Sequence, residues 1–409
     1  MELVPILSAL RRNKTGAVLV VAQIALTLAI LSNVISIVAD RLALIGRATG
    51  LDEHSLFAIG YRLTSGAGSA AALTTDLTNL RSLPQVVDVI ATNSYPLRGS
   101  GWAEGISRDP GLKSIQEQAA QTAVYAFDHH GIGTLGLKLV AGRNFSTEET
   151  QQGNFNKGPM PSVAIVSRAL AKQLFPRGDI LGQSIYLTSD SNKQVTVIGV
   201  VDRLQSPQAS SSIDEHQSEN SIVLPINSPS QYGLFIIRVK PGSMSATMRR
   251  VQDSLLKSNP DRVFGRVRPF DEVRRSAYER DRSMAIALGI ICVILGVITA
   301  LGIVGVTSLW VARRRNQIGI RRALGATRSA IAKHFLLENA LLCCAGVLLG
   351  ILTSHSLSIW LWSHYGSDRL GAAELLICAF LVVSLGQCAA MVPALRAARI
   401  SPTEAFRSG

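Results

Sequence analysis

Four long apolar runs constrain this chain more than any other feature. They cover residues 17–39, 284–312, 339–363 and 375–395, and none contains Asp, Glu, Lys or Arg. The hydrocarbon core of a bilayer is ~30 Å thick and is crossed by about 20 helical residues. Charge-free runs of this length are typical of membrane spans rather than of buried helices in soluble proteins. The sequence therefore predicts four transmembrane helices.

The first run could also be read as a secretory signal peptide, because Arg11, Arg12 and Lys14 precede it. Its apolar part is longer than the roughly 7–15 residues of a signal sequence, and no clear small-residue cleavage site follows. We therefore expect an uncleaved anchor, and we assign residues 1–39 to an N-terminal amphipathic helix followed by the first transmembrane helix.

The positions of the basic residues predict the orientation. Lys and Arg outnumber Asp and Glu by 41 to 28, a formal charge of +13. Residues 40–283 hold 27 basic and 23 acidic residues, a net of only +4, so the excess lies in the remaining segments. Because basic residues stay on the cytoplasmic side, both termini and the loop 313–333 are expected to be cytoplasmic, and residues 40–283 periplasmic. Because membrane topology accounts for the net positive charge, we predict no nucleic-acid partner.

The predicted periplasmic region has two parts. Residues about 50–94 and about 231–270 each have a strand, helix, strand pattern, in which the last strand is expected over 263–270. Together they predict one split α+β layer. Residues about 95–230 would form an inserted second subdomain. The expected fold class is therefore an α-helical membrane protein with four transmembrane helices and a large α+β periplasmic domain of two subdomains. All five Cys lie in the spans, which excludes disulfides in that domain.

Motifs for catalysis or metal binding are absent from the sequence. It contains no G-x-x-x-x-G-K-[ST], HExxH, paired CxxC or GxSxG. His129 and His130 precede Glu148 and Glu149, but the spacing fits no standard zinc pattern. We therefore predict no catalytic residue, no metal site and no cofactor bound by this chain.

The most informative segment follows the second span. Residues 313–333 carry seven basic residues and no acid, with apolar residues at roughly helical spacing. Ile318, Ala323, Leu324, Ile331 and Phe335 belong to that apolar set, Gly325 interrupts it, and Thr327 is placed to cap a following helix. A basic amphipathic helix of this kind either rests on anionic headgroups or inserts into the groove of a partner.

Residues 313–326 (RRRNQIGIRRALGA) resemble the cytoplasmic signature of the FtsX-like permease domain in MacB-type ABC transporters. The resemblance continues through Phe335–Glu338 and into the C-terminal segment 393–407. Residues 139–146, 165–185 and 197–201 resemble the periplasmic core domain of the same family. Gln317 stands where the family commonly has an acid, Phe406 stands where Leu is usual, and we expect no fused ATPase.

The resemblance implies a mechanotransmission permease. A separate ATPase dimer, which binds ATP and Mg²⁺, would push the cytoplasmic segment, and the first two spans would relay the motion to the periplasmic domain. The implied ATPase-coupling residues are Gln317, Ile318, Gly319, Arg321, Arg322, Ala323, Leu324, Gly325 and Ala326. Reversal of charge at Arg321 and Arg322 together is expected to weaken ATPase capture.

Residues within the spans suggest packing roles. Glu338 lies at the cytoplasmic start of the third span, where it either complements the helix dipole or pairs with an Arg. Glycines allow close helix approach, across a permease dimer or within one chain. The candidates for close packing are Gly302, Gly305, Gly346 and Gly350.

The leading functional hypothesis is a permease subunit in the bacterial inner membrane. It would work with a second permease copy, identical or homologous, and with an ABC ATPase dimer. A membrane-fusion protein and an outer-membrane channel are further expected partners. The alternatives are an FtsX-like regulator of a periplasmic cell-wall hydrolase, and a lipoprotein-releasing permease. A sensor is less well supported, since the sequence offers no cytoplasmic output domain.

Overall fold

A computed structural model describes residues 14–64, 68–111, 119–153, 160–188, 190–208, 218–229, 231–365 and 370–399. The predicted N-terminal amphipathic helix and the C-terminal residues 402–407 lie outside the described residues. The chain divides into two compact units. We call residues 14–46 and 280–399 the helical unit, and Arg47–Glu279 the α/β unit.

Ten α-helices occur in the described part of the chain. In order they are α1 Lys14–Gly46, α2 Ala70–Arg81, α3 Gly131–Leu135, α4 Arg168–Leu174, α5 Met244–Ser258, α6 Phe270–Ala277, α7 Glu279–Arg313, α8 Arg315–Ala323, α9 Arg328–Tyr365 and α10 Ala372–Ala398.

Fourteen strands, all in the α/β unit, occur in the same described ranges. They are β1 Leu56–Leu63, β2 Val86–Ala91, β3 Trp102–Ser107, β4 Ala120–Ala126, β5 Leu139–Gly142, β6 Gln151–Gln152, β7 Val163–Ser167, β8 Ser184–Leu187, β9 Asp190–Val201, β10 Ser221–Leu224, β11 Ile226–Asn227, β12 Tyr232–Val239, β13 Arg262–Phe264 and β14 Arg268–Pro269.

The helical unit contains four helices that are long and apolar enough to cross a membrane, namely α1, α7, α9 and α10. Each extends beyond the apolar run that predicted it. The largest extension is in α9, which begins at Arg328 although its apolar run begins at residue 339. The last six residues of the predicted cytoplasmic loop, 328–333, therefore lie in the first two turns of this helix.

The first sheet of the α/β unit is formed by two segments that are distant in sequence. Its strands follow the order β13-β1-β12-β2, all antiparallel, and β14 also pairs with β1. Helices α2 and α5 contribute Leu73, Leu77, Val251 and Leu255 to the core on this sheet. Ser69 caps α2, because its hydroxyl accepts the Ala72 N–H at 3.1 Å.

The prediction of one continuous strand over 263–270 is wrong. β13 ends at Phe264, β14 is only two residues long, and α6 begins at Phe270. Pro269 has no N–H for a strand ladder. Asp271 and Glu272 follow in the first turn of α6, where acidic side chains favour a helix start.

The second sheet is built from residues that lie between β2 and β12 in sequence. Its strand order is β5-β9-β7-β10-β4-β3-β8, with β7–β9 and β10–β4 parallel. Helix α4 is capped by Ser167, whose hydroxyl accepts the Leu170 N–H at 3.3 Å. Its Leu170 and Leu174 are buried against this sheet. Each sheet thus has an apolar core of its own.

Candidate coupling site on the helical unit

The site begins where α7 ends. Arg314 separates α7 from α8, and its Nη1 donates to both carboxylate oxygens of Glu338 on α9, at 2.9 and 3.1 Å. Glu338 is only 1% exposed. A buried carboxylate without a counter-charge is strongly destabilising, so Arg314 is the partner that lets Glu338 lie there. Of the two roles considered for Glu338, the structure shows an ion pair.

The inner face of α8 packs on the ends of the neighbouring long helices. Ile318 is buried in a cluster with Val311 of α7, and Gly319 beside it is buried as well. The other members of the cluster come from α9 and α10 and are Ile331, Phe335, Ala394 and Ala397. Burial of this face means that α8 belongs to the helical unit and is not a free amphipathic segment.

A tight turn joins α8 to α9. Gly325 has φ +96, a left-handed conformation that glycine adopts without steric cost. The N–H of Gly325 donates to the Arg322 carbonyl at 3.1 Å, and the N–H of Ala326 to the Arg321 carbonyl at 3.0 Å. These two bonds form a Schellman motif. The predicted cap at Thr327 is confirmed, because its hydroxyl accepts the Ala330 N–H at 3.2 Å.

The outer face of α8 is exposed and partly apolar. We define it by Gln317, Ile320, Arg321 and Leu324, which follow the i, i+3, i+4, i+7 spacing of one helix face. Leu324 is 83% exposed and Ile320 is 48% exposed. Exposed apolar side chains beside a cationic residue form a surface that suits a protein groove.

The break at Gly325 agrees with the prediction, but the apolar residues that were read as one set do not share one buried face. Ala323 and Leu324 are exposed, whereas Ile318, Ile331 and Phe335 are buried. The reason is that the turn at Gly325 divides the segment into two helices with different axes. Ile320, which the sequence reading did not single out, lies on the outer face. Its spacing from Leu324, i and i+4, is the signal that could have identified it.

The two central arginines of the segment have different surroundings. Arg321 is exposed on the outer face. Arg322 is half-buried, and its Nη1 donates to the Ala398 carbonyl at 2.8 Å, near the C-terminus of α10. Cations stabilise helix C-termini because these carry partial negative charge. Arg322 therefore positions α8, and a change there would disturb the local fold.

Three of the four predicted packing glycines contact other helices of the same chain. A Cβ at Gly346 would lie 2.7 Å from the Ile24 Cβ, and one at Gly350 would lie 2.9 Å from Leu28 Cδ2. Both contacts bring α9 close to α1. Gly302 on α7 faces the side chain of Gln23 on α1 in the same way. Gly305 differs, since a Cβ there would meet nothing within 4 Å.

Polar side chains inside the helical unit join α1 to two other long helices, a feature that the sequence reading missed. Ser32 and Ser354 share a hydrogen bond of 2.6 Å, and the Asn33 amide donates to the Ser354 carbonyl at 3.3 Å. Thr27 and Thr299 are 2.7 Å apart between their hydroxyl oxygens. The sequence signal that could have predicted these contacts was the helical spacing of polar residues within the apolar runs.

No group of three or more His, Cys, Asp or Glu side chains suited to a metal ion occurs within the described ranges. His130 of the α/β unit pairs with Asp88 at 2.9 Å instead. Burial on its own would raise the pKa of Asp88, but hydrogen bonds from His130 and the Val89 N–H outweigh it and hold that pKa below its usual value.

Two family profiles cover most of the chain. The profile described as FtsX-like permease C-terminal matches residues 289–402. The profile described as MacB-like periplasmic core domain matches residues 15–254. The first includes the candidate coupling segment, and the second includes the whole second sheet with β1, β2 and β12 of the first. The chain therefore belongs to the family of MacB-type ABC transporter permeases.

Curated relatives include macrolide export ATP-binding/permease proteins called MacB. The protein from Neisseria gonorrhoeae is 24% identical over 337 residues, which are 78% of this chain and 48% of the relative. The protein from Escherichia coli K12 is 28% identical over 275 residues, covering 66% of this chain and 41% of the relative. The chain spans about half the length of the curated relatives it matches.

Solved structures similar to this chain include the periplasmic region of MacB from Actinobacillus actinomycetemcomitans. The identity is 13% and the TM-score 0.35, over 57% of this chain and 97% of that one. The extracellular domain of the noncanonic ABC-type transporter YknZ from Gram-positive bacteria gives 13% identity and a TM-score of 0.32, over 51% of this chain and all of that one.

Proposed function

We propose that this chain is a mechanotransmission permease whose outer face of α8 receives the ABC ATPase. The observation that carries the proposal is the exposure of Leu324 and Ile320 beside Arg321, on a helix whose opposite face is buried. Exposed apolar anchors next to a guanidinium are typical of protein contacts. ATP and Mg²⁺ bind to the ATPase dimer, and this chain performs no hydrolysis.

The contacts of α8 would allow a displacement of this helix to be transmitted to the neighbouring long helices. The Arg314–Glu338 ion pair ties the start of α8 to α9, and the Arg322–Ala398 hydrogen bond ties its end to α10. α7 runs without interruption from Glu279 to Arg313, about 52 Å at 1.5 Å per residue. A displacement of α8 would therefore move the end of a helix that leads directly into the α/β unit.

The same proposal gives the cellular arrangement. The helical unit spans the bacterial inner membrane, both termini and α8 lie in the cytoplasm, and the α/β unit lies in the periplasm. This orientation is supported by the basic residues of the segment 313–333, because such residues favour the cytoplasmic side. Two permease copies pair with one ATPase dimer, and a membrane-fusion protein with an outer-membrane channel completes an exporter.

The test is capture of a candidate ABC ATPase from the same genome, after co-expression with this chain and solubilisation in detergent. We expect Arg321→Glu and Leu324→Ser each to lower the captured ATPase about tenfold, the loss of roughly one interface anchor. Arg177→Glu is the matched control, since Arg177 is exposed in the α/β unit. Unchanged capture with both outer-face variants would refute the proposed docking face.

A further inference from the structure

A cleft of about 600 Å³ lies in the α/β unit, apart from the coupling site. Residues of both sheets line it, among them Tyr61 of β1, Phe235 of β12 and Trp102 of β3. Arg98 and Ser100, from the connection between β2 and β3, line it too. A cleft of this volume is within the range of roughly 300–1,000 Å³ that small organic ligands occupy.

Asn93 fixes the polar wall of the cleft. Its side-chain amide donates to the Val124 carbonyl at 2.8 Å, and its Oδ1 accepts the Ala126 N–H at 2.9 Å. Both partners belong to β4, so Asn93 ties the end of β2 to the second sheet. The backbone carbonyl of Asn93 accepts a hydrogen bond of 2.7 Å from Arg98 Nη1. This bond holds the guanidinium at the wall of the cleft. Because a guanidinium has five N–H donors, several remain to bind a ligand.

The backbone just before Arg98 adopts an unusual conformation. Leu97 has φ +66, and it is the one non-glycine residue with positive φ in the described ranges. Its side chain is 4% exposed, so the turn is anchored by burial. Such backbone conformations cost of order 1–3 kcal/mol and tend to cluster at ligand sites. Leu97 immediately precedes Arg98, which lines the cleft.

Aromatic rings form the apolar part of the cleft. The Trp102 indole N–H donates to Glu104 Oε2 at 3.1 Å, which fixes the orientation of the ring. Tyr232 also lines the cleft and is 64% exposed. Gly233 is required beneath Tyr61, because a Cβ there would lie 2.1 Å from the Tyr61 ring. The cleft thus combines a cation with aromatic ring surfaces, of which the Trp102 ring is fixed by a hydrogen bond.

We propose that this cleft binds an amphipathic organic anion. The acidic group of the ligand lies on Arg98 and accepts further hydrogen bonds from the Ser100 and Ser228 hydroxyls. The apolar ring system of the ligand packs on Trp102 and Tyr232. A charge-assisted hydrogen bond to a guanidinium is roughly twice as strong as a neutral one, and this selects the anion over a neutral analogue of the same shape.

The experiment uses the full chain in lipid nanodiscs and the fluorescent anion 8-anilinonaphthalene-1-sulfonate, with empty nanodiscs subtracted. Trp102 is the single tryptophan of the α/β unit, whereas Trp310, Trp360 and Trp362 lie in the helical unit. Energy transfer that disappears in Trp102→Phe therefore reports the cleft. Transfer that persists in this variant reports probe in the bilayer.

We expect saturable, Trp102-dependent transfer that Arg98→Gln weakens about tenfold in affinity. Arg177→Gln, at an exposed arginine of the same unit, is expected to leave the affinity unchanged. The neutral analogue N-phenyl-1-naphthylamine is expected to bind more weakly than the anion, with an affinity that Arg98→Gln does not alter. Lack of saturable transfer from Trp102, or equal affinities of wild type and Arg98→Gln for the anion, would overturn the proposal. The ATPase-capture test is unaffected by either outcome, because it concerns the other unit.

Discussion

The two units of this chain place their large apolar side chains in opposite ways. Among the described residues of the α/β unit, the exposed large apolar side chains are few, namely Val87, Tyr232, Leu256 and Val263. The helical unit exposes many, for example Ile290, Val293, Leu301 and Phe380. Burial away from water stabilises the first unit. It cannot hold lipid-facing helices together, because lipid is as apolar as leucine.

The helical unit relies on other contacts. Gly346 and Gly350 let α9 approach α1 closely, and Ser32, Asn33 and Ser354 hydrogen-bond across the same helix pair. The α/β unit has its own buried polar contact, an ion pair between Arg262 and Asp76, surrounded by an apolar core. Small and polar side chains therefore contribute differently to the stability of the two units. Substitutions can measure that difference as a change in unfolding free energy or melting temperature.

The largest effect is expected for Arg262→Gln in the α/β unit. Asp76 is 1% exposed and also accepts a hydrogen bond of 2.6 Å from Ser258, so loss of the guanidinium leaves a buried charge. The expected loss is about 3–5 kcal/mol of unfolding free energy. Hydrogen exchange of α2 and β13, measured on the full chain in nanodiscs, would report it.

The control for that variant is Arg266→Gln, which breaks an exposed pair with Glu272. Exposed pairs contribute about 0–1 kcal/mol, so little change is expected. Equal losses in both variants would mean that burial of the Arg262–Asp76 pair has no special energetic role.

A smaller effect is expected for Gly346→Ala in the helical unit. The added methyl group would meet Ile24 at 2.7 Å and force α1 and α9 apart, at a cost of about 1–3 kcal/mol. Gly305→Ala adds the same methyl group where nothing lies within 4 Å, and it should be neutral. Thermal unfolding in detergent, followed by near-ultraviolet circular dichroism, compares them. Equal melting temperatures would contradict close packing at Gly346.

The smallest effect is expected for Ser354→Ala, which removes the hydrogen bond to Ser32. Hydrogen bonds between transmembrane helices average about 0.6 kcal/mol, with larger values near 1.7. Ser356→Ala is the matched control, because Ser356 is exposed and donates only to Leu352 within its own helix. A melting temperature lowered as much by Ser356→Ala would show that the contact between α1 and α9 adds nothing.

Most of the fold was predicted from the spacing of apolar residues and from the positions of charged residues. Charge-free runs identified the four long helices, and the two strand, helix, strand patterns identified β1, α2, β2, β12 and α5. The extension of α9 back to Arg328 was not predicted, because basic and polar residues at a helix end carry no apolar signal. The end of the predicted strand 263–270 at Pro269 was also missed, because the apolar residues Val267 and Phe270 are compatible with a strand as well as with a helix.

The break at Gly325 in the candidate coupling segment was predicted, but which of its residues are buried and which are exposed was not. The apolar residues on both sides of the break were read as one set, whereas the turn at Gly325 places them on two separate helices. The partner of Glu338 could not be chosen by spacing, because Arg313, Arg314 and Arg315 are adjacent. Only the folded position of Arg314, which separates α7 from α8, identifies it.

The most direct test of the central claim is site-specific photo-crosslinking from α8 to the co-expressed ABC ATPase. A photoreactive residue replaces Leu324 or Ile320 on the outer face, and Ile331 serves as the buried control. The account predicts crosslinks to the ATPase from positions 320 and 324 and none from 331. Crosslinks to lipid alone from 320 and 324 would contradict it, because the outer face would then rest on the membrane surface.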